Sequence, residues 1–291
     1  MRVMLLWLLC LTTPVAGAMQ LVHSERSLYR QVLIYEDQGT RCLCFTRHCT
    51  IGRQSCMELA QPRKLVFGYA HMMLGSLYLM PRPRNILIIG LGGGSLPKAL
   101  TGLLPQTSID AVEIDPAVVK VARRYFDFAP SPRIRVFEED GRTYVRRALR
   151  EGRSYDLIML DAYDHEYIPE HLLTREFLLE VRQLLTAGGV VAANTFSSSR
   201  LYDNESVTYR AAFGTFYNLR ASNRIVLASN GPLPTIDAVK RASANFEASF
   251  APLGFSAADV AALFSTMADW DESARVLTDQ YSPANLLNSS R

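Results

Sequence analysis

The stretch Asn85-Ile86-Leu87-Ile88-Ile89-Gly90-Leu91-Gly92-Gly93-Gly94-Ser95 decides the fold. An unbroken apolar run ending in glycine reads as a strand buried on both faces, because a strand with one wet face would alternate apolar and polar residues. Glycines at its end let the backbone turn tightly and approach a ligand, and the next helix presents free N–H groups there. Runs of the same kind recur at 109–114, 134–137, 155–160 and 189–194, with helical stretches between them. Strands alternating with helices predict a parallel sheet covered on both faces, an α/β, Rossmann-like doubly wound fold.

Upstream of this unit the pattern is different. Short alternating segments at 29–35 and 41–45, separated by the turn-like Asp37-Gln38-Gly39, predict a small N-terminal region of β-hairpins. Pro62 opens a helix-like stretch over 65–79 that is apolar on most faces and so is expected to be buried. Residues 1–18 read as a signal peptide: Arg2 supplies a positive start, 4–11 are apolar, and Ala16-Gly17-Ala18 offers a small-x-small cleavage pattern. That run is too short for stable membrane insertion, which takes about 20 apolar residues. The expected organisation is therefore a signal peptide at 1–18, a β-rich region with its helix at 19–80, and a nucleoside-binding catalytic domain at 81–291. Residues 246–270 read as terminal helices.

Export is the expected localisation, to the periplasm; without cleavage of the leader the chain would be cytoplasmic. Cysteine usage agrees with export. Cys42, Cys44, Cys49 and Cys56 form an even set within fifteen residues, which in an oxidising compartment suggests two local disulfides of undetermined pairing. The Cys42-Leu43-Cys44 spacing does not suit a zinc knuckle. In composition, 48% hydrophobic and 20% charged residues exclude disorder, while 17 Gly and 14 Pro exclude collagen-like character. Lys and Arg exceed Asp and Glu by 31 to 28, for a net charge of +3 without a basic run, so no nucleic-acid partner is implied.

Ligands of open α/β sheets bind at the carboxyl ends of the strands. Three candidate corners lie there. Gly90, Gly92 and Gly94 form the loop after the first strand. Glu113, at the end of the second, can accept ribose hydroxyls. Asp140-Gly141, after the third, suits an adenine amino group. The loop lacks the Gly-x-Gly-x-x-Gly spacing of a dinucleotide site, so an adenosine with a short sulfur-linked tail fits better than a nicotinamide cofactor.

Residues 87–96, 112–116, 139–141 and 160–164, together with the N-terminal β region and the closing Leu277-Thr278-Asp279-Gln280-Tyr281-Ser282-Pro283, resemble the aminopropyltransferases, the spermidine synthases. The glycine loop and the Val112-Glu113-Ile114-Asp115 run are shared with class I S-adenosylmethionine methyltransferases. The resemblance implies transfer of an aminopropyl group from decarboxylated S-adenosylmethionine to an amine, with the nucleoside as co-substrate and no permanently bound cofactor or metal. It assigns Asp161 as the catalytic carboxylate and Asp164 as the second carboxylate of the Asp-x-x-Asp pair. Gln54 falls on the donor side, and Tyr69, His71 and Tyr163 on the amine side. Partners are a small amine and the adenosyl nucleoside; pairing with a second copy of the chain is left open.

Three departures bear on the substrate. The family's loop aspartate, which binds the donor's ammonium, is Gly93 here; its helix glutamate for the distal amine is His71; and His165 replaces the proline after Asp164. Ordinary S-adenosylmethionine as donor in a methyltransferase, or a non-catalytic exported binder of polyamine or nucleoside, are the competing readings. His165 and His171 beside the acidic loop are expected to be gate or surface residues, and Ser197-Ser198-Ser199 a polar loop without a partner base. Tyr202 and Tyr209 read equally as pocket or core.

Overall fold

The computed structural model describes residues 19–50, 52–162 and 168–283. Residues 1–18, and with them the expected signal peptide, lie outside the described residues, as do Tyr163 and Asp164. Two sheets organise the rest. The first is antiparallel, in the order β1 (Gln20–Arg26), β2 (Gln31–Asp37), β3 (Thr40–Cys44), β4 (Arg53–Glu58). Gln38 and Gly39 both have positive φ, 47° and 76°, the geometry that a tight turn needs to match strand twist. Cys42 pairs with Cys56 across β3 and β4, where their sulfurs, like those of Cys44 and Cys49, stand at bonding distance.

A short helix, α1 (Gly68–Leu74), leads into the second sheet and continues as a 3-10 turn over Gly75–Tyr78 rather than as one helix through 79. The change falls where Gly75 meets Val260 and Phe264 so closely that a Cβ would stand 3.0 Å from Val260. There follow β5 (Asn85–Ile89), α2 (Ser95–Leu103), β6 (Ser108–Glu113), α3 (Pro116–Tyr125), β7 (Ile134–Glu138), α4 (Gly141–Arg150), β8 (Tyr155–Leu160), α5 (Arg175–Leu184), β9 (Leu185–Phe196), α6 (Tyr202–Phe213), β10 (Tyr217–Arg220) and β11 (Asn223–Ser229). The chain then closes with α7 (Ile236–Ala244), α8 (Glu247–Phe250) and α9 (Ala257–Ala262). The sheet runs β10-β11-β9-β8-β5-β6-β7. Its parallel part comprises β9, β8, β5, β6 and β7. The expected five strands are present, but β9 starts four residues before 189, and an antiparallel pair, β10 and β11, extends the edge.

The apolar run that opens the second sheet is explained by two cores. Ile86 and Ile88 point with Ile109, Ala111, Leu157 and Met159 into one, which α1 and α7–α9 cover. Leu87 and Ile89 point with Val112, Ile158 and Leu160 into the other, under α4–α6. From Ile86 to Ile89 every residue is buried, so none alternates. The small sheet rests on α3, with Val32, Ile34, Leu43 and Met57 against Ala117, Val118 and Val121. Tyr202 and Tyr209 are both buried. Among the described residues no helix is long and apolar enough to cross a membrane.

Candidate active site

Strand β5 has β6 on one side and β8 on the other, so the connections leave in opposite directions and a crevice opens at the carboxyl ends. Register brings those ends level: Ile89 lies opposite both Val112 and Leu160. The crevice is a cleft of about 430 Å³, within the range of about 300–1,000 Å³ usual for small-molecule sites. Its wall includes Gln54, Tyr69, Gly90, Gly92, Glu113, Asp140, Gly141 and Asp161, and Gly94 caps α2 in the left-handed conformation.

Gly90 has φ +98°, and a Cβ on it would fall 2.3 Å from the Asp161 carbonyl oxygen. Only glycine allows the ends of β5 and β8 to come this close. At Gly93 a Cβ would meet the Ser55 hydroxyl at 2.7 Å and the Phe126 ring at 3.0 Å. Ser55 and Phe126 therefore occupy the space into which a loop aspartate would project.

Glu113 accepts the Leu91 and Asp115 backbone N–H groups at 3.0 and 3.1 Å. Burial pushes its carboxyl up, with those backbone bonds acting downward. The Gly92 N–H bonds to it as well, so of a carboxylate's roughly four lone-pair sites one is left for a ligand hydroxyl. Asp115 is committed to structure: it caps α3 through the Ala117 N–H at 2.9 Å and accepts the Ser27 hydroxyl at 2.6 Å. Asp140 caps α4 through the Thr143 N–H at 2.9 Å and meets His171 Nε2 at 2.7 Å. The His171 bond is the main reason its carboxyl is held down at about 2. An adenine amino group approaching Asp140 thus shares that carboxylate with His171.

Asp161 follows β8 directly, and its backbone N–H donates to the Ile89 carbonyl at 2.7 Å. Its carboxylate accepts Asn194 Nδ2 at 2.9 Å and a bond from Tyr69. Burial pushes it up to about 7; Asn194 and Tyr69 act downward, and the Glu113 charge adds to the rise. A carboxyl group so placed is divided between its two protonation states near neutral pH, which suits a group that exchanges protons.

His71 is a correction. It is absent from the cleft wall; its ring stacks on Phe255 at 4.3 Å between centroids, and its Nε2 meets the Leu65 carbonyl at 2.9 Å. Burial lowers its pKa, so it is a neutral packing residue. Among the wall residues not singled out from sequence are Asn194 and Asn223. Asn194 had a signal, as the polar residue that ends the apolar run Val190-Val191-Ala192-Ala193. His171, expected at the surface, is half-exposed and joins the wall through Asp140.

The spermine/spermidine synthase domain model matches residues 66–220. A polyamine aminopropyltransferase of Vibrio vulnificus is 46% identical over 292 residues, covering 98% of this chain and 98% of its own. Among solved structures, a probable spermidine synthase of Corynebacterium glutamicum superposes with a TM-score of 0.65 at 18% identity, covering 90% of this chain and 98% of that one. Human methyltransferase-like protein 13, in complex with SAH, superposes with a TM-score of 0.52 at 26% identity over 70% of this chain and 93% of that one.

Proposed function

Because the chain belongs to the spermine/spermidine synthase family, we propose that it moves an aminopropyl group from decarboxylated S-adenosylmethionine to a small amine, with Asp161 taking the amine's proton. It is a transferase homologous to a polyamine aminopropyltransferase over nearly its full length. The observation that carries the mechanism is the Asp161 carboxylate, partly buried at the end of β8 and held by Asn194 and Tyr69 in the same cleft as Glu113 and the glycine loop.

The chemistry follows from what such a donor requires. The amine's lone pair forms a C–N bond to the carbon next to the sulfonium, and the C–S bond breaks, leaving a neutral thioether, methylthioadenosine. The amine must arrive deprotonated or lose its proton during attack, and the ionised Asp161 accepts it. Tyr69 and Asn194 hold the carboxylate's direction, which contributes through orientation. Glu113 serves the ribose hydroxyls, and Asp140 with His171 the adenine edge. In a transfer assay, the purified chain with decarboxylated S-adenosylmethionine and putrescine should form methylthioadenosine and aminopropylated amine in equal amounts. Methyl transfer from S-adenosylmethionine without aminopropyl transfer would defeat this reading.

The reading extends to compartment. Residues 1–18 are taken as a cleaved export signal, and Cys42–Cys56 and Cys44–Cys49 as disulfides made in an oxidising space such as the periplasm. Their support is the bonding-distance pairing of all four sulfurs. Mature protein from the periplasm should show no free thiol when denatured without reductant. Reduction should lower its melting temperature, since a disulfide contributes about 2–4 kcal/mol. Four titratable thiols would remove the disulfides.

A further inference from the structure

Beyond the acid at the end of β8, the cleft holds a short chain of amides. Asn194 Nδ2 donates to Asp161 Oδ1 at 2.9 Å, and Asn223 Nδ2 donates to Asn194 Oδ1 at 3.1 Å. The antiparallel register of β9 and β11 explains the contact. Asn223 lies opposite Phe196 and Ile225 opposite Asn194, so both asparagines point to one face as diagonal neighbours, within reach of each other. The Asn223 carbonyl oxygen in turn faces the Ser222 hydroxyl at 3.5 Å, which leaves its NH₂ directed at Asn194.

We propose that Asn223 is a positioning residue that fixes the orientation of the Asn194 amide and thereby sets how readily Asp161 releases and takes a proton. An amide has a donor end and an acceptor end of nearly the same shape, and its partners alone decide which way it faces. With Asn223 donating to its oxygen, Asn194 must present N–H to Asp161, which favours the ionised carboxylate. Polarisation along the chain strengthens that donation. Reversed, Asn194 would present its oxygen, and the carboxyl group would hold its proton to meet it.

The inference rests on Asp161 as the amine's base only for its consequence in catalysis. Facing Asp161 are Glu113 from β6, whose charge raises its proton affinity, and the Tyr69 hydroxyl from α1, which lowers it. Arg30, Arg53, Asp115, Glu139, Asp140 and His171 line the same cleft from the β1–β2 turn, β4, the β6–α3 turn, the β7–α4 turn and the segment before α5. Asp164, His165 and Glu166 follow in sequence, outside the described residues. None of these is altered by a change at position 223, so wild type and variant share them.

Two variants of the full chain separate the cases. Asn223→Ala removes the donor. Asn223→Asp keeps the shape but, ionised, offers only acceptors, so Asn194 turns its NH₂ toward position 223. Two readouts are taken: carboxyl ¹³C titration of Asp161, assigned by its loss in Asp161→Asn, and the pH profile of aminopropyl transfer. In Asn223→Ala the Asp161 titration should move to higher pH by a factor of about 3–10 in proton affinity, the worth of one hydrogen bond. Asn223→Asp should move it further. The acid limb of the rate profile should follow, while the donor KM holds. A role confined to packing would lower stability and leave the titration in place. An unmoved carboxyl titration in both variants overturns the assignment of Asn223. A carboxyl titration that moves while the acid limb stays keeps that assignment and removes Asp161 as the base.

Discussion

Asp161→Asn should lose about 10²–10⁴-fold in turnover, the usual contribution of a positioned general base, while methylthioadenosine affinity is retained. The amide is nearly the shape of the carboxylate, and its oxygen still accepts Asn194 Nδ2, so the ends of β5 and β8 stay joined through the Asp161 N–H to Ile89 bond. The wild-type rate should rise as pH passes upward through about 7, where the carboxyl ionises, and the variant should lack that limb. Stability should change in the opposite sense. The folded-state pKa lies above the ordinary 3.8, so the unfolded chain sheds this proton first. Wild-type stability therefore falls as pH rises from about 4 to about 7 and stays reduced above it. Asparagine has no such proton to lose, and the variant should melt higher than wild type at pH 8. Full turnover in Asp161→Asn, measured with saturating donor and amine, would refute the base.

Gly90→Ala should be the most damaging single methyl in the cleft. The new carbon would fall 2.3 Å from the Asp161 carbonyl oxygen and 2.9 Å from the Ala162 nitrogen, both backbone atoms, at a φ of +98°. Neither neighbour can rotate away, because Gly90 N–H is tied to Val112 and Asp161 N–H to Ile89. Left-handed strain at a non-glycine residue costs about 1–3 kcal/mol, and overpacking about as much again. The melting temperature should drop by roughly 10 °C, and methylthioadenosine affinity with it. Gly102→Ala is the matched control: it sits in α2 with nothing within 4 Å of the added carbon and should be neutral or slightly stabilising. Calorimetric melts of the two variants side by side test the claim; equal stability would show that β5 and β8 can part without penalty.

The parallel sheet was legible because its inner strands each hold an apolar run, 86–89, 157–160 and 190–193, as burial of alternate residues in two cores demands. The carboxylates Glu113, Asp140 and Asp161 were legible for a related reason: each is an acid at the point where an apolar strand stops. What escaped depended on pairings between distant segments. Strands β10 and β11 are joined by Ala221-Ser222, which carries no glycine or proline to announce a turn, so the hairpin was not foreseen. Asn223 acquires meaning only through its register with β9, 29 residues away. His71 was expected on the amine side, but Phe255, from the loop before α9, takes up its ring. Sequence supplies a position; the direction of the side chain is set by what packs on it.

The corner formed by Asp140 and His171 is braced from far along the chain. Arg142, in the first turn of α4 just past Asp140, is buried and grips Asp279, 137 positions further on, through two bonds of 2.7 Å. The same guanidinium donates to the His171 carbonyl at 3.3 Å and to Glu180 at 3.0 Å, and Ser282 donates to the Glu170 carbonyl at 3.2 Å. The segment that carries His171 to Asp140 is thus held from behind by nearly the last residues described. A nascent chain can form β5, β6 and the glycine loop early, from neighbours in sequence. It cannot fix the His171–Asp140 corner until the segment 277–282 has been made and returned, because contacts of such long separation come late and slowly. The His171–Asp140 corner is therefore gained only once the segment around Asp279 has been made and has returned to α4.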